Sequence, residues 1–432
     1  MSIPQRLPLS STSCPQVVVT GIGLVTPLGL DRESTWRGLL AGRSATRWLT
    51  APHWTGKEPL AGALCASVAF AMNGDRDPVV SLALRTANEA IADAELDHGC
   101  LTGDRTGVVF GTSKGGQETA SRLTQSMRQI GHWDNTTREG ACWSDLWANS
   151  AARVVAGHIG CHGPSLCPVL ACATGLAACQ RAAELIREGV CDIVFAGSSD
   201  ASLQPAILGS FRRLGVLADS SAADSANVCR PFDQNRSGFA IGEGAACLVF
   251  ESLIHARKRH AHWYGEWLTG RMLTDPSGLT TLDPSAQSLC RLLRDVGRDV
   301  HYRPEYINLH GTATILNDRV ESFAVRDHFG TEAGLISCSS LKGGLGHLLG
   351  AAGSVELAAT LLAIRDQIAP PTVNLDNVDS EFDLDFTPRE PRPKIIEQAW
   401  KLSLGFGGHL MAACLGRLRG EGDRTDSIQL PD

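Results

Sequence analysis

Short runs of β-branched and other apolar residues recur along the chain, and each run leads into a glycine-rich turn and then an alanine- and leucine-rich stretch. The runs cover residues 17–23, 106–116, 192–202, 305–312, 334–344 and 400–408. Buried strands that alternate with covering helices are typical of an α/β fold. Because this series of strands, turns and helices occurs twice, the pattern predicts two similar halves, residues 1–255 and 256–420. A polar tail follows over residues 421–432.

Two helical stretches correspond most clearly between the halves. One begins at Ala171 and reads ACATGLAACQRAAELIREG, and the other begins at Gly346 and reads GHLLGAAGSVELAATLLAIRD. Their small residues would let two helices approach closely in the middle of a layered fold, where large side chains would clash. The alternative is that they are two unrelated packed helices.

Composition narrows the class of protein. With 432 residues, 43% of them hydrophobic and 20% charged, the chain can bury a large core. The formal charge of −7 and the isoelectric point near 6.0 argue against a nucleic-acid-binding surface, so an acidic partner would have to meet a local patch. The N-terminus lacks the apolar core of a secretory signal, and no apolar run is long enough for a membrane span. We therefore expect a soluble, cytoplasmic protein.

The 14 cysteines are scattered without a CxxC pair, so neither a disulfide framework nor a metal site is expected. Most of them should be small buried residues. Cys172 differs, because an apolar run meets a helical pattern there. The helix dipole and unpaired backbone amides at a helix start stabilise a thiolate, which predicts a pKa below the usual value of about 8.5. Cys172 is therefore the predicted nucleophile.

Two histidines stand at the ends of predicted elements and among glycines. His310 follows a predicted strand, and His347 lies at the start of a predicted helix. Catalytic groups of α/β folds collect at strand ends. Two neutral imidazoles that donate to one thioester carbonyl would stabilise the enolate that forms as carbon dioxide leaves a malonyl group. Cys172, His310 and His347 together therefore indicate decarboxylative condensation.

Other side chains accompany these three residues. Lys342 would either act electrostatically or, as we favour, pair with Glu321 and hold the histidine loops in place. Thr312 and Thr314 follow His310 closely and would hydrogen-bond the amides of a substrate arm.

The motifs follow one order along the chain: ACATG at Cys172, HGTATxxND at His310, SxKGxxGHLLGAAG at Lys342 and His347, and GFGG at 405–408. With the N-terminal VVVTGIGLVTPLG and the segment RPFD…GFAIGEGA, they resemble the β-ketoacyl-acyl carrier protein synthases of the elongating, decarboxylating class, over nearly the whole chain. The resemblance implies a five-layered α-β-α-β-α thiolase-like fold with two pseudo-symmetric halves. It also implies a homodimer, or a heterodimer with a related ketosynthase-like subunit.

The reaction that the resemblance implies is a ping-pong condensation in fatty-acid or polyketide-type chain elongation. Cys172 accepts an acyl group from the phosphopantetheine arm of an acyl carrier protein, and His310 and His347 support decarboxylation of malonyl carrier protein before condensation. No cofactor bound by the enzyme itself is expected. The other implied positions are a gating aromatic residue, two contacts to the pantetheine arm and a buried structural carboxylate: Phe406, Thr312, Thr314 and Glu321.

Lys114, in the segment GTSKGG, departs from the family pattern, which has an apolar or small residue here, near the acyl pocket. A buried ammonium is costly without a partner. Lys114 would then mark a pocket for an acyl chain with a polar or carboxylate end, or pair across a subunit interface. The plainer alternative is that it reaches solvent or pairs with Glu118. Phe211 is expected near the same pocket, and Arg212 and Arg213 would form either a basic patch for the carrier protein or a solvated helix end.

Two other functions stay open at this point. The chain could be a noncatalytic partner that sets chain length in a heterodimeric ketosynthase, but such partners lack the cysteine that is present here. A biosynthetic thiolase or a priming synthase is disfavoured by GHLLGAAG, because those families carry different motifs in that region. An elongating β-ketoacyl synthase is therefore the leading hypothesis.

Overall fold

The computed structural model describes residues 15–66, 76–130, 143–220, 222–300 and 302–420. The predicted polar tail over 421–432 lies outside the described residues. The strands are β1 (Val17–Val25), β2 (Arg47–Trp48), β3 (Ala61–Ala63), β4 (Thr106–Gly111), β5 (Ser165–Leu166), β6 (Ile193–Asp200), β7 (Ile241–Gly242), β8 (Gly244–Ser252), β9 (Gly265–Thr274), β10 (Tyr306–Asn308), β11 (Ser337–Ser339), β12 (Ile368–Ala369), β13 (Arg392–Pro393), β14 (Gln398–Gly405) and β15 (His409–Gly416). The α-helices are α1 (Arg32–Leu40), α2 (Pro78–Asp93), α3 (His98–Leu101), α4 (Gln117–Ile130), α5 (Ser150–Ile159), α6 (Thr174–Arg187), α7 (Pro205–Arg213), α8 (Leu253–Lys258), α9 (Gln287–Asp299), α10 (Ile315–Phe329), α11 (Lys342–Leu345) and α12 (Ala352–Asp366).

Ten of the strands form one sheet, in the order β11-β10-β14-β15-β9-β1-β8-β6-β4-β5. The first five strands in this order come from residues 265–416, and the last five come from residues 17–252. Each set has the same pairing, since β5-β4-β6 and β11-β10-β14 are parallel while β6-β8-β1 and β14-β15-β9 are antiparallel. The repeated plan is thus present in the strand order, and the division near residue 255 stays a prediction.

Three apolar cores separate the layers of the fold. Helices α2 and α5 pack on the outer face of the β5-β4-β6-β8-β1 set, and α9 and α10 pack on the outer face of the other set. Helices α6 and α12 lie between the two sets and fill the central core. The order of layers is therefore α-β-α-β-α, as the family resemblance implies.

The two central helices touch at their N-terminal turns. A Cβ added to Gly175 in α6 would lie 2.4 Å from the backbone nitrogen of Ser354, and one added to Gly353 in α12 would lie 2.5 Å from that of Leu176. These glycines let the two backbones approach. The close approach expected from the small residues is confirmed, and it brings together the chain segments that precede the two helices.

Among the residues that the structure describes, no helix is both long enough and apolar enough to cross a membrane. The cytoplasmic location stays a prediction.

Candidate active site

Three chain segments deliver the predicted nucleophile and the two histidines to one point. Cys172 lies in the 3-10 turn Ala171–Ala173, directly before α6. His310 follows β10, and His347 lies between α11 and α12. Sγ of Cys172 is 3.1 Å from Nε2 of His347, and the two imidazole centroids are 5.3 Å apart. One side-chain N or S atom from each residue lies within 4.8 Å of the other two, so one small group can contact all three.

Hydrogen bonds indicate which ring nitrogens carry the protons. The backbone N–H of Leu349 donates to Nδ1 of His347 over 3.2 Å, which leaves the proton on Nε2. The Lys342 ammonium lies 3.5 Å from Nδ1 of His310, so this ring also carries its proton on Nε2. Burial, reinforced by the charge of Lys342, holds the pKa of both imidazoles well below the usual value. Both rings are therefore neutral Nε2–H donors.

The environment of the Cys172 thiol changes one expectation. The side chain is buried, and burial raises the pKa of the Cys172 thiol to about 11, against the opposing effects of Lys114, Lys342 and the backbone N–H of Phe406. The lowered pKa expected from the helix start is therefore wrong in direction, because the loss of hydration outweighs the nearby cations and amides. At neutral pH the resting thiol is protonated and accepts a hydrogen bond from His347.

The expected pairing of Lys342 with Glu321 is also wrong. The Lys342 ammonium forms its ion pair with Glu356, at 2.6 Å, and donates to the backbone oxygen of His310 at 2.5 Å. Glu321 instead accepts hydrogen bonds from the backbone N–H groups of His310 and Gly311, at 2.7 and 2.6 Å. Burial raises the pKa of Glu321 to about 7. The Lys342–Glu356 pair and Glu321 thus hold the His310 segment through different backbone groups.

Two charged residues that the sequence reasoning missed belong to the same cluster. Glu356 lies on α12 and Lys401 lies on β14. Lys401 is fully buried, and its ammonium is 2.7 Å from the Glu356 carboxylate. The available signal was one charged residue in each of two otherwise uncharged stretches, GSVELAAT and AWKLSLG.

A cavity of about 140 Å³ opens over Cys172 and the two histidines. It is lined by three of the predicted substrate-binding residues, Thr312, Thr314 and Phe406. The hydroxyl oxygens of the two threonines are 2.9 Å apart. Phe239, which sequence reasoning did not single out, also lines the cavity and packs edge-on against His347 with ring centroids 4.9 Å apart. The structure therefore brings the predicted arm contacts and the aromatic gate to the same opening.

Phe211 and Lys114 lie outside the lining of this cavity. The Phe211 ring stacks on Phe406, with centroids 6.1 Å apart and planes 20° apart. The Lys114 ammonium lies 5.7 Å from the Phe211 centroid and donates to Oγ of Ser113 at 2.6 Å. Ser113 in turn donates to the buried Asp200. Lys114 is thus half-buried, and one aromatic ring separates it from Phe406.

Two other expectations concern charged neighbours of this region. Glu118 forms its ion pair with Arg122, at 2.8 Å, so the proposed pairing with Lys114 is wrong. Arg212 pairs with Glu58 and therefore already has an acidic partner within the chain.

The thiol and the two imidazoles have the donor types and the spacing of a metal site. Lys342, Lys114 and Lys401 all act electrostatically on His347. A dication would meet the positive potential of these three ammonium groups. We therefore keep the prediction that no metal acts at this site.

Comparison with known proteins identifies relatives along most of the chain. Residues 15–256 match the family described as beta-ketoacyl synthase, N-terminal domain, and residues 270–376 match beta-ketoacyl synthase, C-terminal domain. The chain is 35% identical over 407 residues to 3-oxoacyl-[acyl-carrier-protein] synthase 2 of Coxiella burnetii, covering 91% of this chain and 96% of the relative. It is 34% identical over 421 residues to the tetracenomycin polyketide synthase ketoacyl synthase alpha subunit of Streptomyces glaucescens, covering 93% and 97%.

Solved structures are similar over the same length. The structure of a type II polyketide synthase acyl-carrier protein in complex with its ketosynthase, bound to the hexaketide, matches with a TM-score of 0.86 at 30% identity, over 94% of this chain and 100% of that chain. The ishigamide ketosynthase/chain length factor matches with a TM-score of 0.84 at 26% identity, with the same coverage. The resemblance drawn from the motifs and the predicted thiolase-like fold are confirmed.

Proposed function

Because the chain belongs to the β-ketoacyl synthase family, we propose that it joins an acyl group on Cys172 to a malonyl group on an acyl carrier protein, with loss of carbon dioxide. The pathway is the elongation of a fatty acid or a polyketide. The observation that carries the proposal is the convergence of one thiol and two neutral Nε2–H donors within 4.8 Å. A thiol can form an acyl thioester, and paired donors can stabilise an enolate.

The first half-reaction loads the enzyme. Sγ of Cys172 attacks the carbonyl carbon of the incoming acyl thioester, a new carbon–sulfur bond forms, and the carrier thiol leaves with the proton of Cys172. The raised pKa of Cys172 means that the proton must leave as the substrate docks, when nearby positive charge and the N–H of Phe406 stabilise the forming thiolate. His347 donates to the sulfur throughout this step.

The second half-reaction forms the carbon–carbon bond. The Nε2–H groups of His310 and His347 donate to the thioester carbonyl of the malonyl group, the bond to its carboxylate breaks, and carbon dioxide leaves. The electron pair remains as an enolate, whose carbon attacks the acyl-Cys172 carbonyl. The carbon–sulfur bond then breaks, and the thiolate takes up a proton from solvent, the one proton that the condensation consumes. Neutral imidazoles suit this step because an imidazolium would protonate the enolate rather than only stabilise it.

The cavity supports a role for a narrow, amide-containing arm. Thr312, Thr314 and Phe406 line the cavity over Cys172. Hydroxyl groups at this depth can pair with the amides of a phosphopantetheine arm. Phe406 gates the passage through its ring stack with Phe211. The carrier protein thus supplies its own prosthetic arm as the substrate carrier.

A second subunit completes the proposed assembly, as a homodimer or as a heterodimer with a related ketosynthase-like chain. One solved relative is described as a ketosynthase with a chain length factor, and another is in complex with an acyl-carrier protein. The alternative, that this chain is itself the noncatalytic chain-length partner, is disfavoured because the thiol and both imidazoles are present and converge.

Variants of Cys172 and His347 test which residue serves acyl transfer, decarboxylation and condensation. Cys172→Ala is expected to abolish condensation, whereas Cys172→Gln keeps malonyl decarboxylation because both imidazoles remain. His347→Ala should remove decarboxylation and spare part of the acyl transfer to the thiol. Intact-mass spectrometry of the enzyme and of the carrier proteins measures each half-reaction. Cys161→Ala, a half-buried cysteine outside the site, is the matched control.

Two results would overturn this assignment. A Cys172→Ala protein with full condensing activity would exclude Cys172 as the acyl carrier. Failure of a cerulenin-like epoxide to label Cys172 in the wild type would favour the noncatalytic partner instead.

The position of Lys114 concerns which acyl chain the enzyme accepts. We propose that its half-buried ammonium, which has Ser113 between it and Asp200, contacts a polar or carboxylate end of the acyl chain beyond the Phe211–Phe406 stack. Carrier proteins loaded with a plain acyl chain and with an ω-carboxylated acyl chain are compared as substrates. In Lys114→Ala the preference should shift toward the plain chain. Lys57→Ala, an exposed lysine in another loop, is the control. Identical substrate profiles for wild type and Lys114→Ala would refute this role for Lys114.

A further inference from the structure

Lys401 is a buried cation in the middle of an apolar strand. Its side chain is fully buried on β14. Its ammonium donates to the backbone oxygen of Leu402 at 2.5 Å and lies 3.3 Å from that of Leu309 and 3.5 Å from that of Asn308. It also lies 2.7 Å from the Glu356 carboxylate. A buried ammonium with this many acceptors has its desolvation cost offset by contacts rather than by exposure.

These contacts join three segments that border the site. Leu309 directly precedes His310 at the end of β10. Glu356 lies on α12, whose start follows His347. The strand β14 itself runs into the turn that carries Phe406. One ammonium group therefore connects the backbone beside one imidazole, the helix after the other, and the strand leading to the gate.

The cluster places two buried ammonium groups beside one shared carboxylate, with Glu321 nearby. Lys342 and Lys401 share the single carboxylate of Glu356, at 2.6 and 2.7 Å. Lys401 also interacts with Glu321 and with the two neutral imidazoles of the site. Burial lowers the pKa of Lys401 to about 8, reinforced by Lys342 and opposed by Glu356 and Glu321. Lys401 can therefore lose its charge within an accessible pH range.

We propose that Lys401 is a second positioning lysine of the site. Together with Lys342 it holds the His310 segment in place, and its positive charge strengthens the two imidazole donors during decarboxylation. The inference rests on the proposed function. Its physical basis is that a cation behind a neutral donor favours negative charge forming in front of that donor. Lys401 contacts no reacting atom, so its effect passes through His310 and His347.

The test uses the Cys172→Gln protein, in which malonyl decarboxylation is observed alone. Conversion of malonyl to acetyl carrier protein is followed by intact mass between pH 6.5 and 9.5. Adding Lys401→Met should lower the maximal rate up to about 100-fold, as expected for loosened positioning of a catalytic group, with a smaller effect on KM. Lys258→Met, the same change at an exposed lysine on α8, is the matched control and should leave the rate unchanged.

The pH profile separates positioning from a merely structural role. With Lys401 present, the rate should fall as pH rises through about 8, because the protonated form prevails below its pKa and the cation is lost above it. Lys401→Met should be slow and lack this fall, and Lys401→Arg, which stays charged, should lack the fall while recovering part of the rate. Glu243 and Glu321 titrate in the same range, since burial raises their pKa values to about 8 and about 7, so Glu243→Gln and Glu321→Gln must both keep the fall.

Each outcome decides the question. A Lys401→Met protein with an unchanged rate and profile overturns the inference, as does loss of the pH-dependent fall in Glu243→Gln or in Glu321→Gln. If Lys401→Met does not fold, a flat profile for Cys172→Gln between pH 7 and 9.5 overturns it in the same way. Absence of any decarboxylation by Cys172→Gln would instead count against the proposed function itself.

Discussion

Replacing Gly175 by alanine should push the two central helices apart. The added Cβ would lie 2.4 Å from the backbone nitrogen of Ser354 and 2.5 Å from Oγ of Ser198. The backbone nitrogen lies at the start of α12, and the Ser198 hydroxyl is held by a 2.6 Å hydrogen bond to Oγ of Ser354 on that helix, so neither atom yields as the end of a long side chain would. To restore ordinary van der Waals contact, α12 must shift by about 1 Å relative to α6.

Two magnitudes follow from this shift. Overpacking in a well-packed core costs about 1–3 kcal/mol of the free energy of unfolding. The same movement changes the 3.1 Å separation of Cys172 Sγ and His347 Nε2, because the two residues precede α6 and α12. A misplacement of about 1 Å at a catalytic group can lower the rate by about 100-fold. Gly175→Ala is therefore expected to lose both stability and condensing activity.

The assay compares two glycines that both lie within helices. Gly157 on α5 has no atom within 4 Å of an added Cβ, so Gly157→Ala should stabilise the protein by about 0.8–1.0 kcal/mol through helix propensity. Melting temperature and the condensation rate are measured for both variants. Gly175→Ala with the melting temperature and rate of the wild type would refute the reasoning. Equal destabilisation by both variants would show that the close approach of the helices is not the cause.

Three other outcomes are expected. Alkylation of Cys172 by iodoacetamide should speed up about tenfold per pH unit between pH 7 and 9, because its pKa of about 11 leaves the thiolate a small fraction throughout, and a plateau below pH 8 would contradict this. Burial raises the pKa of Glu243 from 4.5 to about 8, so the folded state holds a proton that the unfolded state has lost, and stability from this group falls as pH rises through that window. Glu243→Gln should therefore flatten the decline of the melting temperature between pH 5 and 8, and an unchanged slope would argue against it. Dialysis against a chelator should leave condensation intact, and a loss restored by zinc would show that the Cys-His-His set binds a metal.

Much of the fold followed from patterns that act locally. The alternation of apolar runs with small-residue helices predicted an α/β fold, since strands buried on both faces need continuous apolar residues. The likeness between the stretches at Ala171 and Gly346 predicted a close helix pair. It did so because glycine and alanine are the residues that permit backbones to approach. The structure shows both features, with α6 and α12 in contact between the two sets of strands.

For the candidate site, the sequence predicted the reacting groups but not their charged partners. Cys172, His310 and His347 could be named from their motifs, because each stands at an element boundary among small residues. The partner of Lys342 could not, since ion pairing depends on which side chains meet across elements far apart in sequence. Glu356 therefore replaced Glu321 as that partner, and Lys401 came into view only on β14 beside it.

By itself, the sequence determined the α/β class, the repeated plan, the family and the identity of the thiol and two imidazoles, because periodicity and motifs are written in the order of residues. Only the tertiary structure decided the charge states and contacts at the site. The protonated thiol, the neutral rings and the two-lysine cluster all arise from burial. Burial removes water from groups that are brought together from distant parts of the chain, and no local pattern records which groups these are.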